Sequence, residues 1–342
     1  MKQPVISTEN LSIGYTLRNN GEKVVHKSLN LELWQGELTC LLGLNGSGKS
    51  TLLRTLAGFQ TPLSGSIYLN GKLLSSYSEE ERSLLIGVVL TDKVYAGGLT
   101  VYEMVTLGRY PHTGFWGRLR KCDHEMVEQA IRFANIAHLS ERYFSELSDG
   151  EKQKVMIAKA LAQECPVILL DEPTAFLDIN SRIDTMSLLL RMTRIGKTIL
   201  LSTHDIDIAL QLADTLWLLD KEKDFVCGAP EDLVMDGVFS RFFGSNGVVF
   251  DTESGIVRIE PDGVWPVYIK GRKTMRYWIS NALNRNGFRA VLSPEESEIH
   301  IEAKEYPQMD IHRNGEYLCS VYSVEELVKR LRLMEMEHET ID

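Results

Sequence analysis

Gly43-Leu44-Asn45-Gly46-Ser47-Gly48-Lys49-Ser50 matches G-x-x-x-x-G-K-[ST], the pattern of a phosphate-holding P-loop. Its glycines let backbone N–H groups turn inward toward anionic oxygen. Lys49 places an ammonium within reach of β- and γ-phosphates, and the Ser50 hydroxyl can ligate Mg²⁺. A second chemical group lies downstream, where Pro166 and the apolar run Val167-Ile168-Leu169-Leu170 lead into Asp171-Glu172. There Asp171 would hold Mg²⁺ directly or through water, and Glu172 would orient or deprotonate an attacking water. Standing alone, these would read as two solvated acids at a strand end.

The elements that must position these residues are legible nearby. Leu38-Thr39-Cys40-Leu41-Leu42 reads as a buried strand, and residues 50–57 as a helix ending at Gly58. That strand–loop–helix order sets a helix N-terminus, with its partial positive charge, under the phosphates. Residues 167–170 suit a central parallel strand covered on both faces, with the acids at the C-terminal end where such sheets bind ligands.

Between the two motifs stands Leu147-Ser148-Asp149-Gly150-Glu151-Lys152-Gln153; after the acids come Pro173-Thr174-Ala175-Phe176-Leu177-Asp178 and then Ser202-Thr203-His204-Asp205. This order resembles the nucleotide-binding subunit of ATP-binding cassette (ABC) transporters, over about residues 3–240. Residues 172–182 and Leu107-Gly108-Arg109-Tyr110-Pro111 look most like the ATPases of iron–siderophore, haem and vitamin B12 importers. The resemblance implies an α/β fold, a P-loop NTPase ABC-type nucleotide-binding domain with parallel core sheet, antiparallel β subdomain and helical lobe. It implies ATP and Mg²⁺ as cofactors.

Roles follow from the resemblance position by position. Gly43, Asn45, Gly46, Ser47, Gly48, Lys49, Ser50 and Thr51 match the phosphate-binding loop. Tyr15 matches the aromatic that stacks on adenine, a large apolar contact needing no charge; a tyrosine in a small sheet is the alternative. Ser148 and Gly150 match signature residues that touch the γ-phosphate held by the other subunit, and an ordinary N-cap serine has the same geometry without the ligand. Asp178 matches the loop that crosses between subunits, and His204 the switch histidine at the γ-phosphate. A histidine at a strand end is otherwise usually just solvated.

Two departures stand out. Thr91 occupies the place of the family's glutamine, a Mg²⁺-water contact after the strand at residues 86–90. Its hydroxyl is shorter than a carboxamide. Asp149 and Glu151 replace the common glycine and glutamine, and two added acids should weaken triphosphate binding unless they point away or meet Lys152 and Lys154.

With 342 residues the chain is long for one core, so two domains are expected, 1–243 and 244–342, with the helical lobe at about 92–163. No run approaches the length needed to span a bilayer, and the N-terminus lacks an export signal. The five cysteines are scattered without a CxxC pair, which suits a reducing cytosol and argues against zinc. A net charge of −10 speaks against nucleic acid as a partner. By resemblance the partners are a second copy in a homodimer, transmembrane permease subunits, and indirectly a periplasmic or lipoprotein substrate-binding protein. The location is peripheral, at the cytoplasmic face of the cell membrane.

Residues 3–35 alternate as antiparallel strands turning at Asn19-Asn20-Gly21. Residues 99–110 read as an amphipathic helix, and the stretch 113–120, with Phe115 and Trp116, as a docking surface or a loop packed on its own lobe. Beyond a linker at 244–247 the pattern becomes a small α+β domain. It has hairpins around Glu253-Ser254-Gly255 and Asn314-Gly315, a helix at 273–286, and a final helix opened by Ser323 and Glu326. Regulation, dimer stabilisation and mere structural support are all open uses for it. The function expected is ATP hydrolysis coupled to uptake of an iron chelate or vitamin B12. The alternative is a nucleotide-gated regulatory module with weak hydrolysis. A single P-loop without sustained heptads disfavours ribosome- and chromosome-type cassettes.

Overall fold

Leu38–Leu42, Val167–Asp171 and Thr198–Thr203 are buried along their whole length, as continuous apolar runs must be when both faces of a sheet are covered. In the computed structural model, which describes residues 3–17, 21–90, 98–114, 117–244, 248–251, 255–259 and 263–339, they lie side by side in a six-stranded sheet. The order is Val226–Gly228, Thr215–Leu218, Leu38–Leu42, Thr198–Thr203, Val167–Asp171, Ile86–Val89, parallel except at the Val226–Gly228 edge. The register pairs Leu42 with Thr203 and Asp171 with Ser202. Three strand ends that bear the chemical motifs are therefore neighbours.

Pro4–Thr16 forms the spine of an antiparallel sheet with Glu22–Leu29, Glu32–Trp34 and Ser64–Leu69. Irregular register around Ile13 bends the strand just before Tyr15. Its inward residues Ile6, Leu11 and Ile13 join Leu41, Leu52, Leu200 and Trp217 in one core.

The helical segment holds Val101–Thr106, Lys121–Phe133 and Asp149–Ala162. The expected helix at 99–110 is shorter: after Thr106 the chain tightens into a 3-10 turn over Leu107–His112 that contains Pro111. Proline has no N–H to continue the ladder. Gly108 there lies against the Lys159 carbonyl, where a side chain would collide. Arg109 is buried, and its guanidinium donates to Asp123 Oδ1 at 3.0 Å, to Glu164 Oε2 at 2.6 Å and to the Ala162 carbonyl at 2.6 Å. Burial opposes the Asp123 charge, but the Arg120 N–H and the Arg109 guanidinium outweigh it and hold the carboxyl below its ordinary range. Thr91, Phe115, Trp116 and Asn19-Asn20 lie outside the described residues.

Contacts divide the chain into two compact units, one of Met1–Phe242 with Thr252–Ile256, the other of Phe243–Asp251 with Val257–Asp342. In the smaller unit a five-stranded sheet runs Phe288–Val291, Trp265–Gly271, Ile299–Glu305, Gln308–Arg313, Glu316–Val321. The first three strands are parallel and the rest antiparallel. Lys273–Asn284 and Val324–Glu339 are its helices, and its core gathers Val267, Ile269, Ile301, Ile311, Leu327 and Leu331.

Candidate nucleotide site

The chain leaves strand Leu38–Leu42 and enters helix Lys49–Leu56 through the glycine loop. Gly46 and Gly48 take positive φ, 78° and 103°. A Cβ on Gly48 would lie 2.5 Å from Val25 Cγ1, so this position demands glycine on both counts. The His26 ring bonds the Ser47 carbonyl through Nε2 at 2.6 Å and braces the loop from behind. Ser47 is buried, and its hydroxyl has no hydrogen-bond partner among the described residues. An unpaired buried hydroxyl is costly unless a ligand oxygen completes it. The loop thus fits an anion.

Lys49 is buried too, and its ammonium is folded back onto the loop. It donates to the Gly43 carbonyl at 2.9 Å and the Leu44 carbonyl at 3.4 Å, and lies 3.5 Å from Glu172 Oε1. Glu172 Oε2 is 3.6 Å from His204 Nδ1. Ser50 is exposed at the start of the helix, and Tyr15, 47% exposed, shares a 2.7 Å hydrogen bond between its hydroxyl and that of Thr51. The phenol end is thereby anchored beside the loop, while about half of the residue stays exposed.

Asp171 and Glu172 are set by Ser202 across the parallel pair. The Ser202 hydroxyl donates to Asp171 Oδ1 at 2.6 Å and accepts the Glu172 N–H at 2.9 Å. Glu172 has φ of 47°, a left-handed backbone that turns its side chain away from that of Asp171 and toward Lys49 and His204. Among the described residues no cluster of three His, Cys, Asp or Glu side chains could hold a metal alone. One carboxylate and one hydroxyl, Asp171 and Ser50, suit a hard cation that takes its other ligands from phosphate and water.

A second group forms around helix Asp149–Ala162. Ser148 caps it, in a capping box with Glu151. Gly150 is packed so closely on Ser181 that a side chain would collide with Oγ. Ser181 in turn bonds Asp178 through N–H at 3.0 Å and hydroxyl at 2.7 Å. Those bonds, the backbone one first, hold the Asp178 carboxyl below its usual range. The next residue, Arg182, donates to Asp205 Oδ2 at 2.6 Å, so the helix after Asp178 is tied to the turn that carries His204.

Comparison with known proteins bears on what this arrangement serves. A family model described as ABC transporter matches residues 26–175, and one described as Iron ABC transporter C-terminal domain matches residues 265–332. The chain is 36% identical to the uncharacterized ABC transporter ATP-binding protein MJ0873 of Methanocaldococcus jannaschii, over 81% of this chain and 97% of the relative. It is 37% identical to the ferric enterobactin transport ATP-binding protein FepC of Escherichia coli, over 71% and 88%. The chain belongs to the ABC transporter ATP-binding proteins. A further relative is the iron(3+)-hydroxamate import ATP-binding protein FhuC of Bacillus subtilis, 36% identical over 70% of this chain and 87% of the relative. Among solved structures, cbiO1 of Clostridium perfringens, part of the ABC transporter complex cbiONQ, matches with TM-score 0.60 and 30% identity, over 70% of this chain and 94% of that one. The dimeric ABC transporter cassette MJ0796 matches with TM-score 0.58 and 26% identity, over 66% and 98%. As an ABC ATPase the chain binds and hydrolyses ATP.

In this ABC ATPase the two departures meet different ends. Thr91 lies outside the described residues. Glu151 folds onto Ser148, and Lys154 pairs with Asp184 at 2.6 Å. Sequence reasoning gave no role to Ser202 or Ser181. The Ser148-x-x-Glu151 spacing is itself a capping-box signal, and it was the available clue to Glu151.

Proposed function

We propose that this ABC ATPase powers import of an iron chelate, working as one of two identical subunits beneath transmembrane permease subunits at the cytoplasmic face of the cell membrane. The observation that carries the reading is the convergence of Lys49, Glu172 and His204 within 3.6 Å contacts beside a loop with an unpartnered buried hydroxyl. A triphosphate entering there takes the Lys49 ammonium away from Glu172 and leaves that carboxylate facing the terminal phosphate. The loop residues Gly43 and Asn45 to Thr51 hold the phosphates, Tyr15 stacks on adenine, and Glu172 aligns and deprotonates water. His204 contacts the γ-phosphate. Ser50 and Asp171 would hold Mg²⁺, which neutralises phosphate charge when bound.

Phe176, Ile179 and Ile183 support the pairing. They are 90%, 74% and 61% exposed around Asp178, an apolar strip of the kind that a protein partner covers. Ser148, Gly150 and Asp178 would then meet the nucleotide held by the second copy. Iron chelate as cargo draws on the relatives' named substrates and on the C-terminal match. A substrate-binding protein outside the membrane would deliver it. Glu172→Gln should keep ATP binding and lower turnover by about 10²–10⁴-fold, the usual span for losing a general base. Near wild-type turnover in that variant refutes the base assignment. Cells lacking the chain should fail to accumulate radio-iron from a ferric siderophore; undiminished uptake removes the cargo reading.

A further inference from the structure

Two consecutive residues of strand Glu22–Leu29 meet the glycine loop at one point. A Cβ on Gly48 would lie 2.5 Å from Val25 Cγ1 and 3.2 Å from His26 Cδ2. In a regular strand consecutive side chains leave on opposite faces. Here the pairing with Pro4–Thr16 is interrupted twice. Ile13 faces His26, whereas Leu11 faces Leu29 and Gly14 faces Val24, so each interval holds one residue more on Glu22–Leu29. Within it Ser28 takes a left-handed φ of 54°. Bulges of this kind re-aim side chains. They set His26 on the loop, with Nε2 2.6 Å from the Ser47 carbonyl oxygen. A carbonyl only accepts, so Nε2 carries the hydrogen.

That bond fixes a peptide plane. In a trans peptide C=O and N–H point to opposite sides, so a Ser47 carbonyl drawn to His26 turns the Gly48 N–H away from it. The Gly48 N–H has no acceptor among the described residues and is left for a ligand oxygen. Glycine tolerates either sign of φ, so this peptide could flip readily if nothing held it.

We propose that His26 is a positioning residue for the phosphate loop: it pins the Ser47–Gly48 peptide so that the Gly48 N–H is preset for a phosphate, and so sets nucleotide affinity without touching the nucleotide. The inference rests on the reading of Gly43 and Asn45 to Thr51 as the phosphate loop. The same sheet ties the helix after the loop at a second point, the Tyr15 hydroxyl on that of Thr51. Tyr15 is also the residue offered to adenine, so His26 is the tie that acts on the phosphate end alone.

The test uses the full-length chain, with fluorescent ATP and ADP analogues for affinity and phosphate release for turnover. His26→Leu keeps bulk and removes the donor; His26→Gln offers an amide N–H at similar reach. One neutral hydrogen bond is worth roughly 2- to 10-fold, so Kd for both nucleotides and KM for ATP should rise by that factor in His26→Leu. ATP and ADP should lose equally, because loop N–H groups cradle the α- and β-phosphates that both carry. The kcat at saturating ATP should stay within about threefold, as when binding is lost equally from ground and transition states. His26→Gln should recover most of the affinity. Thermal unfolding checks that the variants are folded, and His26→Phe, also donor-free, takes the place of His26→Leu should that one not fold. Unchanged affinity in the donor-free variant, a loss confined to kcat, or a His26→Gln variant as weak as the donor-free one overturns the positioning role. Lys49→Ala separates the two claims. If it abolishes nucleotide binding while His26→Leu moves nothing, only the role of His26 fails; if it binds like the parent, the loop reading fails and the role of His26 with it.

Discussion

Replacing Ser202 by alanine is the sharpest perturbation of the hydrolytic end of the site. Ser202 is fully buried, donates to Asp171 Oδ1 at 2.6 Å and accepts the Glu172 N–H at 2.9 Å. The Glu172 N–H keeps a second acceptor, the Ser202 carbonyl at 3.2 Å, so that backbone group remains bonded in the variant. The loss falls on Asp171, whose carboxylate forfeits a short charge-assisted bond. Such bonds contribute about 1.5–3 kcal/mol. At roughly 2–4 °C per kcal/mol for a unit of this size, the melting temperature should fall by about 3–12 °C. Catalysis should suffer more, because a misplacement near 1 Å at a reacting centre costs on the order of 10²-fold. The expected outcome is a kcat about 10- to 100-fold lower and a higher Mg²⁺ requirement, with metal-free nucleotide binding unchanged. Ser202→Cys, similar in size but a weaker donor, should fall between the two. Steady-state phosphate release across a Mg²⁺ titration reads this directly. Wild-type turnover with wild-type Mg²⁺ dependence in Ser202→Ala would show that Asp171 needs no support from this strand.

Further outcomes follow from the same geometry. Gly48→Ala must place a methyl 2.5 Å from Val25 Cγ1 at φ 103°, so nucleotide affinity measured by fluorescent analogue should drop at least about tenfold; retained affinity would mean that the loop relaxes freely. Asp123 has a depressed pKa, so its stabilisation is fully present above the unfolded value of about 3.9 and is lost as pH falls through the lower folded value. Asp123→Asn removes one carboxylate from Arg109, which keeps its 2.6 Å ion pair with Glu164, and should cost about 1.5–3 kcal/mol at pH 7, with the difference from wild type narrowing on acidification below about pH 4 in thermal melts. A difference that stays constant through that range would remove the ion pair as its cause.

The parts of the fold that were legible in the sequence are those forced by local physics. Continuous apolar runs at Leu38–Leu42 and Val167–Asp171 have few homes other than a sheet covered on both faces. The glycines of the loop are dictated by backbone angle, visible as positive φ at Gly46 and Gly48. Apolar spacing predicts a helix at 99–110 longer than the observed one because that spacing looks the same in an α-helix and in the 3-10 turn that follows Thr106. What separates them is tertiary: Gly108 against the Lys159 carbonyl, and Arg109 drawn inward by Asp123, Glu164 and the Ala162 carbonyl.

The illegible part of the site has one physical character. Its residues have no signature of their own and acquire a role from a neighbour distant in sequence. Ser202 is an unremarked hydroxyl until parallel register sets it opposite Asp171, 31 positions away. Ser181 matters because Gly150 leaves no space between them, and Arg182 because Asp205 comes to meet it. The partner of Glu151 escapes charge counting for the same reason. Summed along the chain, an acid in the signature turn is simply repulsive to phosphate, with the nearby lysines its obvious partners. In the fold, Lys154 is committed to Asp184, and the acid finds the helix's own unsatisfied donors three residues back. A helix N-terminus attracts whichever anion can reach it first. In this chain that anion is Glu151, supplied by the helix's own first turn.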